Sequence, residues 1–162
     1  MLQVREHTEP SYQSFKSWND MGRVYVEIEL VNHDDMAEAK KGYITPDKVR
    51  KKMVTFMVDS GADYLCINQE IQQALQLSVL ESPTFTLANG SQKQMDIVGP
   101  IDFFFQNRRG TADAVVLPGD SIPLLGAIPM EIMDVVIHPK SQTLTVNPDS
   151  PSVASHYLKG FK

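Results

Sequence analysis

Short extended runs separated by turn signals predict an all-β, closed barrel-like domain carrying one or two short helices. Three observations make that prediction. Several apolar runs alternate with a period of two, 9 Gly and 10 Pro punctuate the 162 residues, and nowhere do strands alternate with long helices as a parallel α/β sheet requires. A chain of this length is expected to form one domain with a real core, and 42% apolar with 22% charged residues is an ordinary globular composition.

The elements follow in order. Residues 1–20 are polar, with scattered aromatics (Tyr12, Phe15, Trp18) and no clean period, and read as an N-terminal arm or poorly ordered lead-in. Residues 23–31 place Val24, Val26, Ile28 and Leu30 on one face, as a half-buried strand requires. Residues 32–52 are charged and contain Gly42 and Pro46, which predicts a long exposed connection. A second strand over residues 52–58 delivers Asp59, and Tyr64-Leu65-Cys66-Ile67 continues as extended apolar chain. Asn68 caps a short helix, with Glu70 in its first turn and Ile71, Ala74 and Leu75 at helical spacing, ending near Leu77.

Residues 84–88, the Asn89-Gly90 turn and the apolar recovery at Met95, Ile97 and Val98 spell a hairpin with a polar tip. Two further strands, residues 100–105 and 112–117, are joined by Asn107-Arg108-Arg109-Gly110, read as a solvated, positively charged turn. A short helix over residues 128–133, with Pro129 at its entry, precedes a last strand pair, 135–137 and 143–146, around His138-Pro139-Lys140-Ser141. Residues 149–162 read as a loose C-terminal tail.

A net charge of -5 argues against a nucleic-acid partner, which demands a basic face to neutralise phosphates. The single cysteine, Cys66, excludes an internal disulfide; with no His or cation beside it in sequence, it reads as a small buried hydrophobe rather than a nucleophile. His7, His33, His138 and His156 are far apart and lack ligand spacing, so neither a metal nor another cofactor is expected. No stretch approaches the roughly 20 apolar residues of a spanning helix, and the start lacks a signal-like apolar core. The expectation is a soluble, cytoplasmic protein with no membrane partner.

The chemistry is carried by Asp59-Ser60-Gly61-Ala62, entered directly from the apolar strand 53–58. A carboxylate at the end of a buried strand, followed by a small hydroxyl residue and Gly, suits a tight loop that holds an acid still while backbone passes close by. On its own such a triplet is more often a simple turn. Asn89-Gly90 is by default a hairpin turn, and with Ser91 it also spells a glycosylation sequon, which means little without a secretory signal.

Taken together, the strand into Asp59-Ser60-Gly61-Ala62, the Ala88-Asn89-Gly90 segment and the later Leu124-Leu125-Gly126 resemble the retropepsin-like aspartic proteases, over residues 22–148 and in the family's order and separation. The resemblance implies a retropepsin-like closed barrel over residues 21–148, one half of a pepsin-type bilobal site, working as a homodimer on a polypeptide substrate. It makes Asp59 the catalytic acid-base residue, flanked by Ser60, which would hydrogen-bond the opposite loop, and Gly61, which leaves room for substrate backbone. Ala62, Asp63, Ala88, Asn89, Gly90 and Ser91 would line or cover the substrate, and Leu124, Leu125 and Gly126 would support the Asp59 loop from beneath. Activity is then expected to peak below neutral pH.

One departure stands out. Retroviral members carry an Arg after the Gly matching Gly126, paired with an acid matching Asp63, whereas this chain has Ala127. Asp63 must then face substrate, bond to backbone or pair with an Arg elsewhere, such as Arg23, and an altered dimer interface is expected. Because a fold does not dictate an activity, a catalytically silent dimeric binding or scaffolding module is the competing reading. A monomeric β domain, in which Asp59 merely caps a turn, is the third.

Overall fold

The computed structural model describes residues 22–158. The N-terminal arm expected over residues 1–20 lies outside them. Within them the strands are β1 (Val24–Asn32), β2 (Lys51–Val58), β3 (Leu65–Asn68), β4 (Val79–Glu81), β5 (Thr84–Thr86) and β6 (Gln92–Gln94). They continue with β7 (Ile97–Phe105), β8 (Arg108–Leu117), β9 (Leu124–Leu125), β10 (Val135–His138) and β11 (Thr143–Val146). Three short helices join them: α1 (His33–Lys40), α2 (Gln69–Leu75) and α3 (Ala127–Met133).

Strand pairing closes a barrel. The order β1-β2-β9-β3-β8-β7 returns to its start because β7 also pairs with β1, with Leu30 opposite Phe103 and Val31 opposite Asp102. β4 pairs with the start of β7, along the same edge that β1 takes further on. Closure gives each of these six strands a partner on both sides, although β9 reaches only the last two residues of β2 and β7 only the second half of β1. The inward alternation predicted for β1 holds, with Val24, Ile28 and Leu30 buried, and Phe56, Leu65, Ile67, Phe103 and Leu125 meet Ile28 and Leu30 in one apolar core against which Val26 packs. α2 adds Ile71 and Leu75 and α3 adds Met130 and Met133 to that core. β5 and β6 form a separate two-stranded hairpin outside the ring.

Residues 32–52 form the largely exposed connection expected, but its first part is helical. Asn32 caps α1, its Oδ1 accepting from the Asp35 amide at 3.1 Å, and Asp34, Asp35 and Lys40 are placed as the helix dipole favours. The helix is polar on nearly every face, so no apolar period betrays it. Asp35 is buried and ion-paired with Arg50 through Nε and NH2, both at 2.8 Å, and that guanidinium holds the Asp35 carboxyl below its usual range. Arg50 NH1 continues to Gln76 Oε1 at 2.5 Å, and Asn32 Nδ2 donates to Leu75 O at 2.9 Å, so one polar network joins α1, the start of β2 and the end of α2.

Two other expectations need correction. The β7–β8 turn is tighter than read, with Phe105 directly opposite Arg108 and only Gln106 and Asn107 between the strands. Arg108 therefore falls on the inward side of β8, alternating with exposed Arg109, and is 2% exposed instead of being a solvated tip. The segment after Pro148 is also tied down as far as Ser155, while Tyr157 and Leu158 beyond it are exposed as a loose tail would be. Ser150 O accepts from Arg108 NH2, and Asn107 Nδ2 donates to Pro151 O at 2.8 Å. Asp134, ending α3 at φ 53, accepts from Ser150 Oγ at 2.5 Å, Asn147 Nδ2 at 2.9 Å and the Ser155 amide at 2.9 Å.

These bonds, first those from Ser150 and Asn147, hold the Asp134 carboxyl down to about 2 from an ordinary 3.8, with Arg108 adding its charge. A depressed carboxyl stabilises the fold above its unfolded pKa and loses that contribution as pH falls through the folded value. The melting-temperature advantage of the native chain over Asp134→Asn is therefore expected in full near neutrality and to shrink as pH falls from about 4 through about 2. A difference that stays constant in thermal melts across that range would contradict the role of Asp134.

Candidate active site

β9 is only two residues long, yet it lies between β2 and β3. Met57 and Val58 pair in parallel with Leu124 and Leu125, while Leu65 and Cys66 pair antiparallel with Leu125 and Leu124. The loop from Asp59 to Tyr64 thus arches over the end of an inserted strand. Its apolar filling explains the sequence: Leu125 is fully buried in the barrel, and Leu124 packs on the opposite side against Cys66, Met95 and Val115.

Backbone bonds then fix the loop from both ends. The Asp59 amide donates to Leu125 O at 3.0 Å, and Ala62 N donates to Asp59 O at 3.1 Å. The amides of Gly126, Ala127 and Ile128 donate to Tyr64 O, Ala62 O and Asp63 O at 3.1, 2.8 and 3.0 Å. Three successive carbonyls of the loop are satisfied by the entry to α3, whose first amides would otherwise lack partners. Gly126 permits this approach, because a Cβ there would lie 2.4 Å from Tyr64 O, 2.7 Å from the Asp63 carbonyl carbon and 2.8 Å from Ala62 O.

Within that frame the Asp59 carboxylate is half-buried, its Oδ1 accepting from the Gly61 amide at 2.9 Å. A Cβ at Gly61 would stand 3.2 Å from that oxygen, so a side chain there would crowd the carboxylate. Ser60, Gly61 and Asp63 are exposed around it and Ala62 is half-buried. The negative charge reaches Cys66: burial, and secondly Asp59, push the Cys66 thiol up to about 11, which keeps it protonated and unreactive as read from sequence.

The hairpin β5–β6 rises beside this loop. Thr84 pairs with Gln94, Phe85 with Lys93 and Thr86 with Gln92. Ala88, Asn89, Gly90 and Ser91 form its exposed tip, with Gly90 at φ +83, where a side chain would be strained. Asn89 Oδ1 accepts from Ser91 N at 3.0 Å and from Ser91 Oγ at 2.6 Å, and Leu87 N donates to Ser91 O at 2.8 Å. At its base Phe85 and Met95 join the cluster of Cys66, Val115 and Leu124. The Phe85 ring also meets the Tyr64 ring edge-on, centroids 6.3 Å apart. Sequence reading placed Tyr64 in the extended chain after the acid loop but gave no sign of its contact with the hairpin.

Among the described residues no group of three or more His, Cys, Asp or Glu could hold a metal ion, and no helix is long and apolar enough to cross a membrane.

Comparison with known proteins gives a family. Residues 46–128, just over half of the chain, match the model of a family described as aspartyl protease. No curated protein matches the chain. Among solved structures, the EIAV protease in complex with an inhibitor aligns over 68% of this chain and 88% of its own, at 11% identity and a TM-score of 0.45. The retroviral protease-like domain of Ddi1 from Leishmania major aligns over 77% and 90%, at 13% identity and 0.45. A retropepsin-like aspartic protease from Rickettsia conorii aligns over 72% and 86%, at 18% identity and 0.39. Superpositions at these scores are loose, and the barrel above rests on its own strand pairing.

The threaded strand yields a test. Gly126→Ala places a Cβ against backbone on three sides, so its unfolding midpoint in urea should fall by the equivalent of about 1–3 kcal/mol, the usual cost of overpacking. A midpoint equal to the native one would mean that the loop and β9 do not approach this closely.

Proposed function

The chain belongs to the aspartyl protease family, and on that premise we propose that it is a homodimeric aspartic endopeptidase in which Asp59 of each copy supplies half of a water-activating pair. One observation carries the reading. Asp59, the acid that closes β2, sits on a loop fixed by backbone bonds at both ends, with one carboxylate oxygen held by the Gly61 amide. That geometry suits an acid that must meet a second acid in register.

Two such carboxylates brought close cannot both ionise, so the pair holds one proton between them and titrates as a unit, as is long established for aspartic-protease dyads. The ionised member draws a proton from a water lying between the two, and the oxygen of that water attacks the scissile carbonyl carbon. The protonated member gives its proton to the developing oxyanion. Collapse of the tetrahedral species returns a proton to the leaving amine, and the pair ends as it began. Neither a metal nor a covalent enzyme intermediate enters this scheme.

The remaining residues take supporting roles in the proposal. Ser60, exposed beside Asp59, reaches toward the opposite loop; Gly61 keeps the ceiling low for substrate backbone; Ala62 and Asp63 border the bound chain. Leu124, Leu125 and Gly126 hold the loop from beneath through the pairing described above. The tip at Ala88, Asn89, Gly90 and Ser91 closes over an extended peptide held mainly by backbone bonds, as in strand addition. The closed ring leaves the hairpin as an unpaired two-stranded element, which is what such a cover needs.

Digestion of a peptide library from acid to neutral pH tests the reading. The native chain should cleave, best below neutrality, and Asp59→Asn should lower kcat/KM by roughly 10²–10⁴-fold or more. Cleavage that persists unchanged in Asp59→Asn removes Asp59 as catalyst. A native chain that cuts nothing across the series favours the silent scaffold, and a persistent monomer in sedimentation removes the shared pair.

A further inference from the structure

The hairpin β5–β6 is attached to the barrel by very little. Thr84, Thr86, Gln92, Lys93 and Gln94 are all exposed, so its two strands contribute a single apolar side chain, Phe85, to the packing beneath. A lone two-stranded hairpin is marginal in water, so its order depends on what it rests against. Two things meet Phe85: the cluster of Cys66, Met95, Val115 and Leu124, and the edge-on ring of Tyr64.

Tyr64 is placed in an informative way. It is 47% exposed, so burial alone does not account for an aromatic there. Its carbonyl accepts from Gly126 N at 3.1 Å and from the Cys66 thiol at 3.7 Å, and its backbone is therefore part of the clasp that fixes the Asp59 loop. The side chain carries that fixed position outward to the hairpin. Edge-on aromatic pairs have a preferred geometry, which a simple apolar contact lacks.

We propose that Tyr64 is a positioning residue that docks the 84–94 hairpin, through Phe85, in register with the Asp59 loop. The inference rests on the protease reading for its catalytic consequence but not for the docking itself. Because Phe85 is the one apolar anchor of its strands, the hairpin can lift and return without disturbing the barrel core, and the Tyr64 ring restores the same height above Asp59 at each return. The part of the molecule that must stay rigid thereby sets the resting place of the part that must move.

Two measurements on the full chain test this. In Tyr64→Ala, hydrogen exchange at the amides of residues 84–94 should speed up by roughly two- to tenfold, the strength expected of one aromatic pair, while exchange in β1, β2 and β7 stays unchanged. In peptide hydrolysis KM should rise by a similar factor with kcat little altered, the pattern of lost substrate holding. Tyr64→Phe should keep native behaviour in both. In a Phe85→Ala background, Tyr64→Ala should add nothing further. Hairpin exchange unaltered by Tyr64→Ala overturns the docking, and faster exchange throughout the chain shows a merely structural residue. Faster hairpin exchange with an unaltered KM overturns the positioning role. A native chain without hydrolysis counts against the protease reading instead, and exchange alone then decides the docking.

Discussion

The structure depends on one threading event, the insertion of Leu124 and Leu125 between β2 and β3. Without it the ring of six strands is open between those neighbours, and the acid loop has nothing beneath it. With it, β2 gains a parallel partner just before Asp59, and β3 gains an antiparallel one just after Tyr64. The loop's ends are therefore fixed by the same two residues. Leu125 also places a fully buried side chain in the main core, and Leu124 serves the smaller cluster under the hairpin. A change at β9 is thus felt in the barrel, in the acid loop and below the hairpin together.

Rigidity is graded outward from that point. The acid loop is held by backbone bonds to carbonyls 59, 62, 63 and 64, none of which a side-chain substitution would directly remove. The hairpin is held by side chains, chiefly Phe85, and its tip by local bonds between Asn89 and Ser91. Local stability in proteins varies in this way, and elements that must open are drawn from the weakly attached end. Arg108 marks another kind of cost. Among the described residues its Nε and NH1 are buried without hydrogen-bond partners, while Asp134 lies 3.8 Å from NH2. Such a cation is tolerable only because that carboxylate and the covering segment stay in place.

Most of the fold was legible because its signals are local. Alternation in β1, the Asn68 cap of α2 and the Asn89-Gly90 turn each act within a few residues, and each appears where expected. What escaped depended on distant partners. α1 has no apolar stripe, and its one buried residue, Asp35, is a carboxylate made tolerable by Arg50, 15 residues away. Arg108 read as a solvated tip because nothing near it in sequence announces Asp134 and Ser150. The acid triplet and the Leu-Leu-Gly segment could be found by sequence, but their interlocking could not, since 65 intervening positions separate Asp59 from Leu125 and only the strand order brings them together.

The same interlocking answers the question raised by Ala127. An Arg at that position would brace the acid loop through a side chain, and Ala127 has no side chain that can do so. Here the amides of residues 127 and 128 take the carbonyls of Ala62 and Asp63 directly, and Gly126 lets them come close enough to do so. Bracing by backbone has a consequence that bracing by an ion pair lacks. In the proposed dimer each chain would fix its own Asp59 before a second copy arrives, so association would join two preformed halves without having to order them. Binding that orders less loses less conformational entropy, and a smaller or more polar contact then suffices to hold the pair. The missing guanidinium is therefore compatible with a dimer whose interface differs from that of the retroviral enzymes, because what the Arg would fix is already fixed by the main chain.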